Sequence, residues 1–232
     1  MTPEAQSDIP LPPRRLRMGG VHFRRDADLV RAAQRDVRIL RRRAGLTAES
    51  RLLDWGCGAG RLAIGVKHVM GHVADYHGVD VQPDLLNWAR DNLTDAHTRF
   101  TLVDQRNPRY NPDGDQAYEI PTADESVDVL YSYSVFSHML TEDVAGYARA
   151  IARALAPQGR AWLTAFVEDG VPDCVENPDD YHKMPWKGPL HCVRFDRRFF
   201  EDVLLDAGLA VDEFVHGRET DGQSMYVLRK RG

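Results

Sequence analysis

The stretch LLDWGCGAGRLA at residues 52–63 contains an acid, Asp54, followed by Gly56, Gly58 and Gly60. Glycine lets a backbone approach a ligand closely, and a strand, a glycine-rich turn and a helix N-terminus form a common nucleotide site. The spacing is G-x-G-x-G, whereas the dinucleotide fingerprint is G-x-G-x-x-G. A carboxylate at this turn repels a pyrophosphate and attracts a ligand with an ammonium and a sulfonium group. The motif therefore favours S-adenosylmethionine.

Two further acids stand where later strands are predicted to end. Asp80, followed by Val81, comes 24 residues after Gly56, and Asp104 is followed by Gln105. The Asp80 carboxylate can accept hydrogen bonds from both ribose hydroxyls, but the same spacing suits a nicotinamide dinucleotide and does not discriminate. The Asp104 side chain and a neighbouring backbone N–H can hold an adenine edge. Three acids at successive strand ends suit a chain of phosphates poorly, which again favours S-adenosylmethionine.

Strand and helix patterns alternate along the chain and predict a parallel sheet covered on both faces. The candidate strands are RLLDW, YHGVDV, RFTLVD, SVDVLYSYS and RAWLTAFV, and the helical stretches between them include GRLAIGVKHVM, PDLLNWARDNL and TEDVAGYARAIARAL. In such a sheet the ligand lies beyond the carboxyl ends of the strands, where the acids are predicted. The expected fold class is α/β, with a Rossmann-like sheet and helices on both faces.

The length of 232 residues fits one domain with one sizeable core. We expect a mobile N-terminal arm at residues 1–20 and a single domain at residues 21–232. Residues 105–125 and 168–193 do not fit the alternation, and long irregular segments in a compact domain are usually functional. We assign the second segment to the pocket for the acceptor.

Composition excludes several classes of protein. No apolar run approaches the roughly 20 residues of a membrane helix, and the N-terminus lacks the apolar region of a secretory signal. The formal net charge of −5 argues against extended contact with nucleic acid. Cys57, Cys174 and Cys192 show no C-x-x-C spacing and are expected to be free thiols. We therefore expect a cytoplasmic protein without a membrane or nucleic-acid partner.

The motifs LLDWGCGAGR, GVDV, LVDQ and SVDVLYSYSVFSHM resemble the successive motifs of class I S-adenosylmethionine-dependent methyltransferases, over roughly residues 50–167. The resemblance implies a seven-stranded sheet whose final strand, SMYVLRK, is antiparallel. It implies that the three glycines approach the methionine part, that Asp80 binds the ribose and that Asp104 with Gln105 brackets the adenine. It also places Val81 and Tyr133 at the cofactor.

A metal site is not expected, although Glu168 and Asp169 leave magnesium as an open alternative. A catechol-type methyltransferase would need a magnesium-binding Asp at the end of the fourth strand, where Tyr133 and Ser134 stand. His68 and His72 have the i, i+4 spacing of a zinc pair but lack a third ligand. The stretch NPRY at residues 107–110 resembles a signature of enzymes that methylate bases, but it follows the wrong strand, so we interpret it as a structured loop near the adenine.

Methyl transfer from a sulfonium is an in-line displacement, so most of the acceleration comes from alignment. An alcohol acceptor also needs a general base, and His138, a few residues past the fourth strand, is the candidate. We expect Phe136, Tyr181 and Trp186 to contact the acceptor, because flat apolar faces among polar groups suit a small polyhydroxylated ring or a polar aromatic metabolite.

The acceptor remains open between several alternatives. The stretch SVFSHMLTEDV with YNP resembles actinobacterial methyltransferases that act on carbohydrates, which implies a sugar hydroxyl, with the 1-hydroxyl of a methylated mannoside as the finest assignment. An alternative is the O-methylation of a polyketide or other secondary metabolite. A third is a cofactor-binding partner subunit without catalysis. The expected partner is a small-molecule acceptor, and a homodimer is left open.

Overall fold

The computed structural model describes residues 9–181 and 185–231. The helices are α1 (Asp26–Arg43), α2 (Arg61–Val69), α3 (Pro83–Leu93), α4 (Thr141–Ala154) and α5 (Arg197–Asp206). The strands are β1 (Arg51–Trp55), β2 (Asp75–Asp80), β3 (Thr98–Leu102), β4 (Val127–Ser132), β5 (Leu155–Glu168), β6 (Cys174–Glu176), β7 (Val193–Asp196), β8 (Leu209–Val215) and β9 (Ser224–Lys230). The alternation predicted from sequence is therefore present.

The strands form one mixed sheet. Five strands pair in parallel in the order β3-β2-β1-β4-β5. β9 pairs antiparallel with β5, and β8 pairs antiparallel with β9. These seven strands confirm the predicted Rossmann-like α/β fold and its antiparallel final strand.

Two short strands extend the sheet beyond the expected pattern. β7 pairs parallel with the end of β5 at Phe166–Glu168, and β6 pairs antiparallel with β7. The prediction that residues 168–193 are irregular throughout is therefore wrong, because the segment starts and ends beside the sheet edge and can pair there. Residues 182–184 of this segment lie outside the described residues.

The core has two halves, one on each face of the sheet. Leu53 of β1 and Leu130 of β4 belong to the half that packs under α4 and α5, whereas Leu52 and Val129 belong to the half under α1, α2 and α3. Successive side chains of a strand point to opposite faces, so continuous apolar strands fill both halves. Both faces of the sheet are thus covered, and its carboxyl ends remain accessible for a site.

The contact between α1 and α2 depends on a glycine. A Cβ atom at Gly65 of α2 would overlap the carbonyl oxygen of Ala33 in α1 and lie 3.0 Å from Cγ2 of Val37. The two helix backbones therefore pack closely at this point. This packing positions the start of α2, which forms part of the site described below.

We expect Gly65→Ala to lower the free energy of unfolding by about 1–3 kcal/mol, because the added methyl group has to displace a helix backbone. This cost exceeds the roughly 1 kcal/mol that alanine gains in helix propensity. Urea denaturation measures the effect, and His68→Ala on the same helix is the control. Equal stability of the Gly65→Ala variant and the native protein would contradict the close packing.

Candidate cofactor and acceptor site

A cavity of about 610 Å³ lies at the carboxyl ends of the parallel strands. Its walls come from the segments that follow β1 to β4, from the N-terminal segment, and from the β6–β7 and β8–β9 loops. Small-molecule sites commonly occupy roughly 300–1,000 Å³. We call the part formed by residues 54–59 and 79–82 the glycine region, and the part formed by residues 107–110, 138–139 and 186–191 the histidine region.

The three glycines of the turn after β1 have different roles. All three have positive φ angles, of 81° at Gly56, 54° at Gly58 and 76° at Gly60, which glycine adopts without strain. A side chain at Gly58 would enter open space, since the nearest atom is 4.0 Å from the Cβ position. A side chain at Gly56 would overlap Val135, which also lines the cavity.

Gly60 has a packing role in the structure, and its expected ligand contact stays a prediction. Gly60 precedes the first residue of α2, and a Cβ atom there would overlap Leu93 of α3. Its missing side chain therefore permits close packing of α2 and α3. Gly56 and Gly58 are the two glycines of the motif that line the cavity.

The two acids of the glycine region are buried and line the cavity. Burial raises the pKa of Asp54 to about 7, although the hydroxyl group of Tyr76 donates a hydrogen bond to this carboxylate and opposes the rise. Asp80 accepts hydrogen bonds from the backbone N–H groups of Gly58 (2.7 Å) and Gln82 (2.8 Å), and burial also raises its pKa. Each carboxylate is thus fixed in direction at the end of its strand.

The predicted adenine contacts after β3 are only partly brought to the cavity. The Asp104 side chain is exposed, accepts a hydrogen bond from the Asn111 amide (3.0 Å) and does not line the described cavity. Gln105 lines it, but its side chain accepts from the Tyr147 hydroxyl (2.7 Å) and donates to the Glu119 carbonyl. The Asp104 side chain thus contacts its own loop, and the Gln105 side chain contacts the loop and α4, so the expected adenine contact of these two residues stays a prediction.

Arg61, the residue after the motif's last glycine, is a site residue that the sequence analysis missed. Its guanidinium group pairs with the buried Asp36 of α1 and donates to the Tyr131 hydroxyl (3.1 Å). The same group lies 5.0 Å from the Phe23 ring centroid and 4.8 Å from that of Tyr133, the predicted cofactor residue that lines the cavity. A cation in the first turn of a helix opposes the helix dipole, and this signal could have identified Arg61.

The described part of the N-terminal segment lies along the cavity. Arg17 lines it, donates to the carbonyl groups of Pro12 (2.7 Å) and Arg24 (3.1 Å), and pairs with Asp26 (2.7 Å). These contacts tie the segment to the start of α1. Residues 1–8 of the predicted arm lie outside the described residues, and the mobility of the arm stays a prediction.

His138 is the central side chain of the histidine region. Its Nδ1 atom lies 2.8 Å from the carbonyl oxygen of Leu190, which can only accept, so Nδ1 carries the proton and Nε2 is the acceptor. Burial, helped by the charge of Arg109, lowers the pKa of His138 to about 4, although the hydrogen bond with Leu190 opposes this change. The Asn107 amide donates to the His138 carbonyl oxygen (3.0 Å), and the Tyr110 ring meets the imidazole edge-on at 5.4 Å. The NPRY loop thus lies in the histidine region, and its expected place near an adenine stays a prediction.

The three predicted acceptor contacts have different positions. Phe136 is fully buried in the core, where it packs against Phe200 at 6.4 Å between ring centroids, so its predicted role is corrected. Trp186 lines the cavity, and its Nε1 atom donates to the Pro178 carbonyl oxygen (3.0 Å). Tyr181 does not line the described cavity; its ring stacks on that of Trp186 at 6.5 Å and supports it.

Two further observations concern the described part of the chain. Within residues 9–181 and 185–231, no three His, Cys, Asp or Glu side chains are grouped as a metal site would require, and the three cysteines are free thiols. None of the helices in these two ranges has the length and apolar character needed to cross a bilayer.

Comparison with known proteins supports a class of enzyme. Residues 53–163, just under half of the chain, match the family model described as a methyltransferase domain. Together with the sheet order and the acids at the strand ends, this match indicates that the chain resembles methyltransferases whose cofactor is S-adenosylmethionine.

The chain is similar to particular proteins at low identity. It shares 29% identity over 151 residues with the methyltransferase GfsG of Streptomyces halstedii, and the match spans 63% of this chain and 49% of that relative, about half its length. Among solved structures, the [4+2]-cyclase SpnF superposes with a TM-score of 0.65 at 20% identity. The superposition covers 87% of this chain and 82% of the SpnF chain. The geranyl diphosphate C-methyltransferase of Streptomyces coelicolor superposes with a TM-score of 0.62 at 15% identity, over 88% of this chain and 81% of that chain. These structures share the fold alone.

The residues of the glycine region fit S-adenosylmethionine. The open space at Gly58 admits a ligand against the backbone, and a Cβ atom there would occupy that space. The buried carboxylates of Asp54 and Asp80 suit a ligand with two cationic groups and ribose hydroxyls. Asp80 would hold the ribose and Asp54 would face the cationic methionine part. Val81, also predicted at the cofactor, lines the same wall.

We expect Asp80→Ala to weaken the binding of S-adenosylmethionine and S-adenosylhomocysteine alike by about tenfold to a hundredfold, because ribose hydroxyls lose a charged acceptor. Isothermal calorimetry measures both affinities. Asp104→Ala is the matched control and should change them by less than about twofold, because that carboxylate faces solvent and Asn111. A larger loss of affinity in Asp104→Ala than in Asp80→Ala would contradict the placement of the ribose at the end of β2.

The pKa of Asp54, which burial raises to about 7, predicts a pH dependence. A bound cation favours the ionised carboxylate, so binding below this pKa must release a proton. The affinity for S-adenosylmethionine should therefore rise with pH up to about pH 7 and fall by up to about tenfold for each pH unit below it.

Calorimetry between about pH 5.5 and 7.5 measures this slope, and proton release follows from the buffer dependence of the heat. Asp54→Asn should bind more weakly near neutral pH and lose most of the pH dependence. An equal slope in the native protein and the Asp54→Asn variant would show that another group titrates on binding.

Proposed function

We propose that this domain transfers the methyl group of S-adenosylmethionine to a hydroxyl group of a small acceptor, with His138 as the general base. The observation that carries the proposal is the hydrogen bond from Nδ1 of His138 to the Leu190 carbonyl oxygen, at 2.8 Å. This bond fixes the tautomer in which Nε2 holds a lone pair, on a side chain that lines the cavity. A nitrogen prepared in this way is what proton abstraction from a hydroxyl requires.

When bound, S-adenosylmethionine supplies an electrophilic methyl group on a positively charged sulfur. His138 would accept the hydroxyl proton at Nε2 as the acceptor oxygen takes the methyl group that the bound cofactor would supply, and the electrons of the carbon–sulfur bond would stay with the leaving sulfur. The imidazole gains one positive charge as the sulfur loses one, so the net charge of the buried site does not change. This balance matters because creating a new charge in a buried site is costly.

The depressed pKa of His138 has a direct consequence for this reaction. With a pKa of about 4, the imidazole is neutral over the whole neutral range, so the base form is available without prior deprotonation. Its low proton affinity means that alignment supplies most of the acceleration. Asn107 and Leu190 provide that alignment, since they hold the backbone and the ring of His138 respectively.

For the acceptor, a carbohydrate is our first proposal, including the 1-hydroxyl of a methylated mannoside. It is supported by the resemblance of the segment after β4 and by the flat rings of Tyr110 and Trp186, which line the cavity among polar groups. A secondary metabolite is supported equally, because a structure that shares the fold, with a TM-score of 0.60 at 17% identity, is described as the mitomycin 7-O-methyltransferase MmcR. The superposition covers 54% of the MmcR chain.

The atom that receives the methyl group has to be argued from the site. The similar folds include a C-methyltransferase and a cyclase, so the fold is compatible with other chemistry. A fixed base within the cavity favours a hydroxyl acceptor, since the hydroxyl proton has to be removed during transfer. A partner subunit without catalysis would need no such group, and cofactor turnover with pooled sugars and small phenols separates the two alternatives.

We expect His138→Ala to lower turnover by about a hundredfold or more at saturating S-adenosylmethionine, because the base is lost while the cofactor contacts stay in place. Formation of S-adenosylhomocysteine measures turnover, and calorimetry measures cofactor affinity. His68→Ala, a histidine of α2 outside the cavity, is the control and should keep native turnover.

His138→Gln distinguishes a base from a side chain that only forms hydrogen bonds, because glutamine forms hydrogen bonds but cannot take up the proton. It should be as inactive as His138→Ala. Near-native turnover of either variant, with unchanged cofactor affinity, would mean that the site works by alignment alone.

A further inference from the structure

Three side chains of the histidine region are fixed by the main chain of residues 187–191. Arg109 donates from Nη1 to the carbonyl oxygens of Lys187 (3.1 Å) and Pro189 (3.3 Å). His191 accepts at Nδ1 from the Lys187 amide (2.7 Å), and His138 donates from Nδ1 to the Leu190 carbonyl oxygen (2.8 Å). One short loop therefore holds two histidines and an arginine at the wall of the same cavity.

The hydrogen bonds also determine which atoms of this cluster can donate. His191 accepts at Nδ1, so its neutral form carries the ring proton on Nε2, which is a donor. Arg109 uses Nη1 for the loop and directs Nε to the Tyr110 hydroxyl (3.3 Å), which leaves the Nη2 amino group as a further donor. His138 contributes the opposite character, an acceptor at Nε2.

The positive charge of Arg109 is not balanced by an ion pair. Within residues 9–181 and 185–231, no carboxylate pairs with this guanidinium group, which contacts only carbonyl and hydroxyl oxygens and the Tyr110 ring. Asp221 lines the same cavity; it lies 3.5 Å from His22, and its charge also opposes the lowering of the His191 pKa. A partly buried cation held by neutral acceptors attracts an anion from the ligand.

We propose that Arg109 and His191 form a subsite for an anionic group of the acceptor, a carboxylate or a phosphate, which directs a hydroxyl group of the same molecule toward Nε2 of His138. This inference rests on the proposed function and specifies its substrate class. A planar guanidinium group with an adjacent imidazole N–H matches the oxygens of either anion.

The subsite also couples acceptor binding to the strength of the base. Burial lowers the pKa values of His138 and His191, and the charge of Arg109 lowers both further. An anion beside Arg109 offsets that charge, so the pKa of His138 rises when the acceptor is bound. A neutral acceptor leaves His138 as a weak base. The correct substrate therefore improves the base that acts on it, and discrimination against neutral analogues appears in turnover as well as in binding.

The first experiment tests the subsite without any reaction. Inorganic phosphate is titrated into the protein saturated with S-adenosylhomocysteine, and calorimetry measures its affinity. We expect saturable binding in the native protein, weakened about tenfold or more by Arg109→Gln and by His191→Gln. Arg149→Gln, an exposed arginine of α4 that does not line the cavity, is the matched control with the same change of charge. Phosphate binding that is absent, or equal in all four proteins, overturns the subsite.

The second experiment uses acceptors matched in shape and different in charge. Glucose, glucuronate and a glucose phosphate form one set, and phenol, para-hydroxybenzoate and a hydroxyphenyl phosphate form the other. Within each set, we expect an anionic acceptor to have a kcat/KM about tenfold or more above that of the neutral compound. Comparison of the carboxylate with the phosphate shows which of the two anions the subsite binds. Arg109→Gln should remove this preference of kcat/KM for the anionic members, and Arg109→Lys should restore part of it.

The outcomes separate this inference from the proposed function. Neutral acceptors methylated as well as the acids, with no effect of Arg109→Gln, would overturn the subsite and leave O-methylation standing. Phosphate binding that depends on Arg109, without methylation of any hydroxyl compound, would support the subsite and count against the proposed reaction. Unchanged affinity for S-adenosylhomocysteine shows that each variant is folded.

Discussion

The guanidinium group of Arg61 lies where water has little access, and Asp36 of α1 balances its charge there. Removing Asp36 would take this carboxylate from the Arg61 guanidinium, and removing Arg61 would leave the buried Asp36 to the more distant Arg35 (3.6 Å). Because a buried charge without its close partner is costly, the two groups hold α1, α2 and β4 in one arrangement. Tyr131 adds hydrogen bonds to both, through its hydroxyl group at 2.6 Å from Asp36 and 3.1 Å from Arg61. The ring contacts of Arg61 with Phe23 and Tyr133 extend the arrangement from the N-terminal segment to the cavity wall. The cavity thus takes its shape from an ion pair outside the reaction itself.

Two clusters of opposite charge lie on the cavity wall, which also carries Arg61 near the first cluster and Asp221 near the second. Buried carboxylates, Asp54 and Asp80, lie in the glycine region, and Arg109 with two histidines lies in the histidine region. A cationic cofactor is therefore attracted to the first region and repelled from the second. If the acceptor carries the anion proposed above, electrostatics favours the cofactor in the glycine region and the acceptor in the histidine region.

The sheet supplies the directions of strands and the loops supply the chemistry. Similar folds include a cyclase and a C-methyltransferase, which agrees with the general rule that function resides in the site and not in the fold. In this chain the determining loops are those at residues 105–110 and 186–191, both from segments that interrupt the strand–helix alternation. The backbone carbonyl groups of the loop at residues 186–191 fix the tautomer of His138 and the direction of Arg109.

The sequence by itself determined the sheet, its helices and the acids at the strand ends, because periodicity, capping and turn chemistry act over a few neighbouring residues. The helix predicted over PDLLNWARDNL begins and ends at Pro83 and Leu93 in the structure. Only the tertiary structure decided which side chains face the cavity. Phe136 is in the core because it meets Phe200 of α5, and the Asp104 side chain faces solvent beside Asn111 of its own loop. The ion pair of Arg61 and the loop contacts of Arg109 join positions 25 and 78 residues apart. Local patterns contain no information about such contacts, since packing and buried charge bring these residues together only in the folded chain.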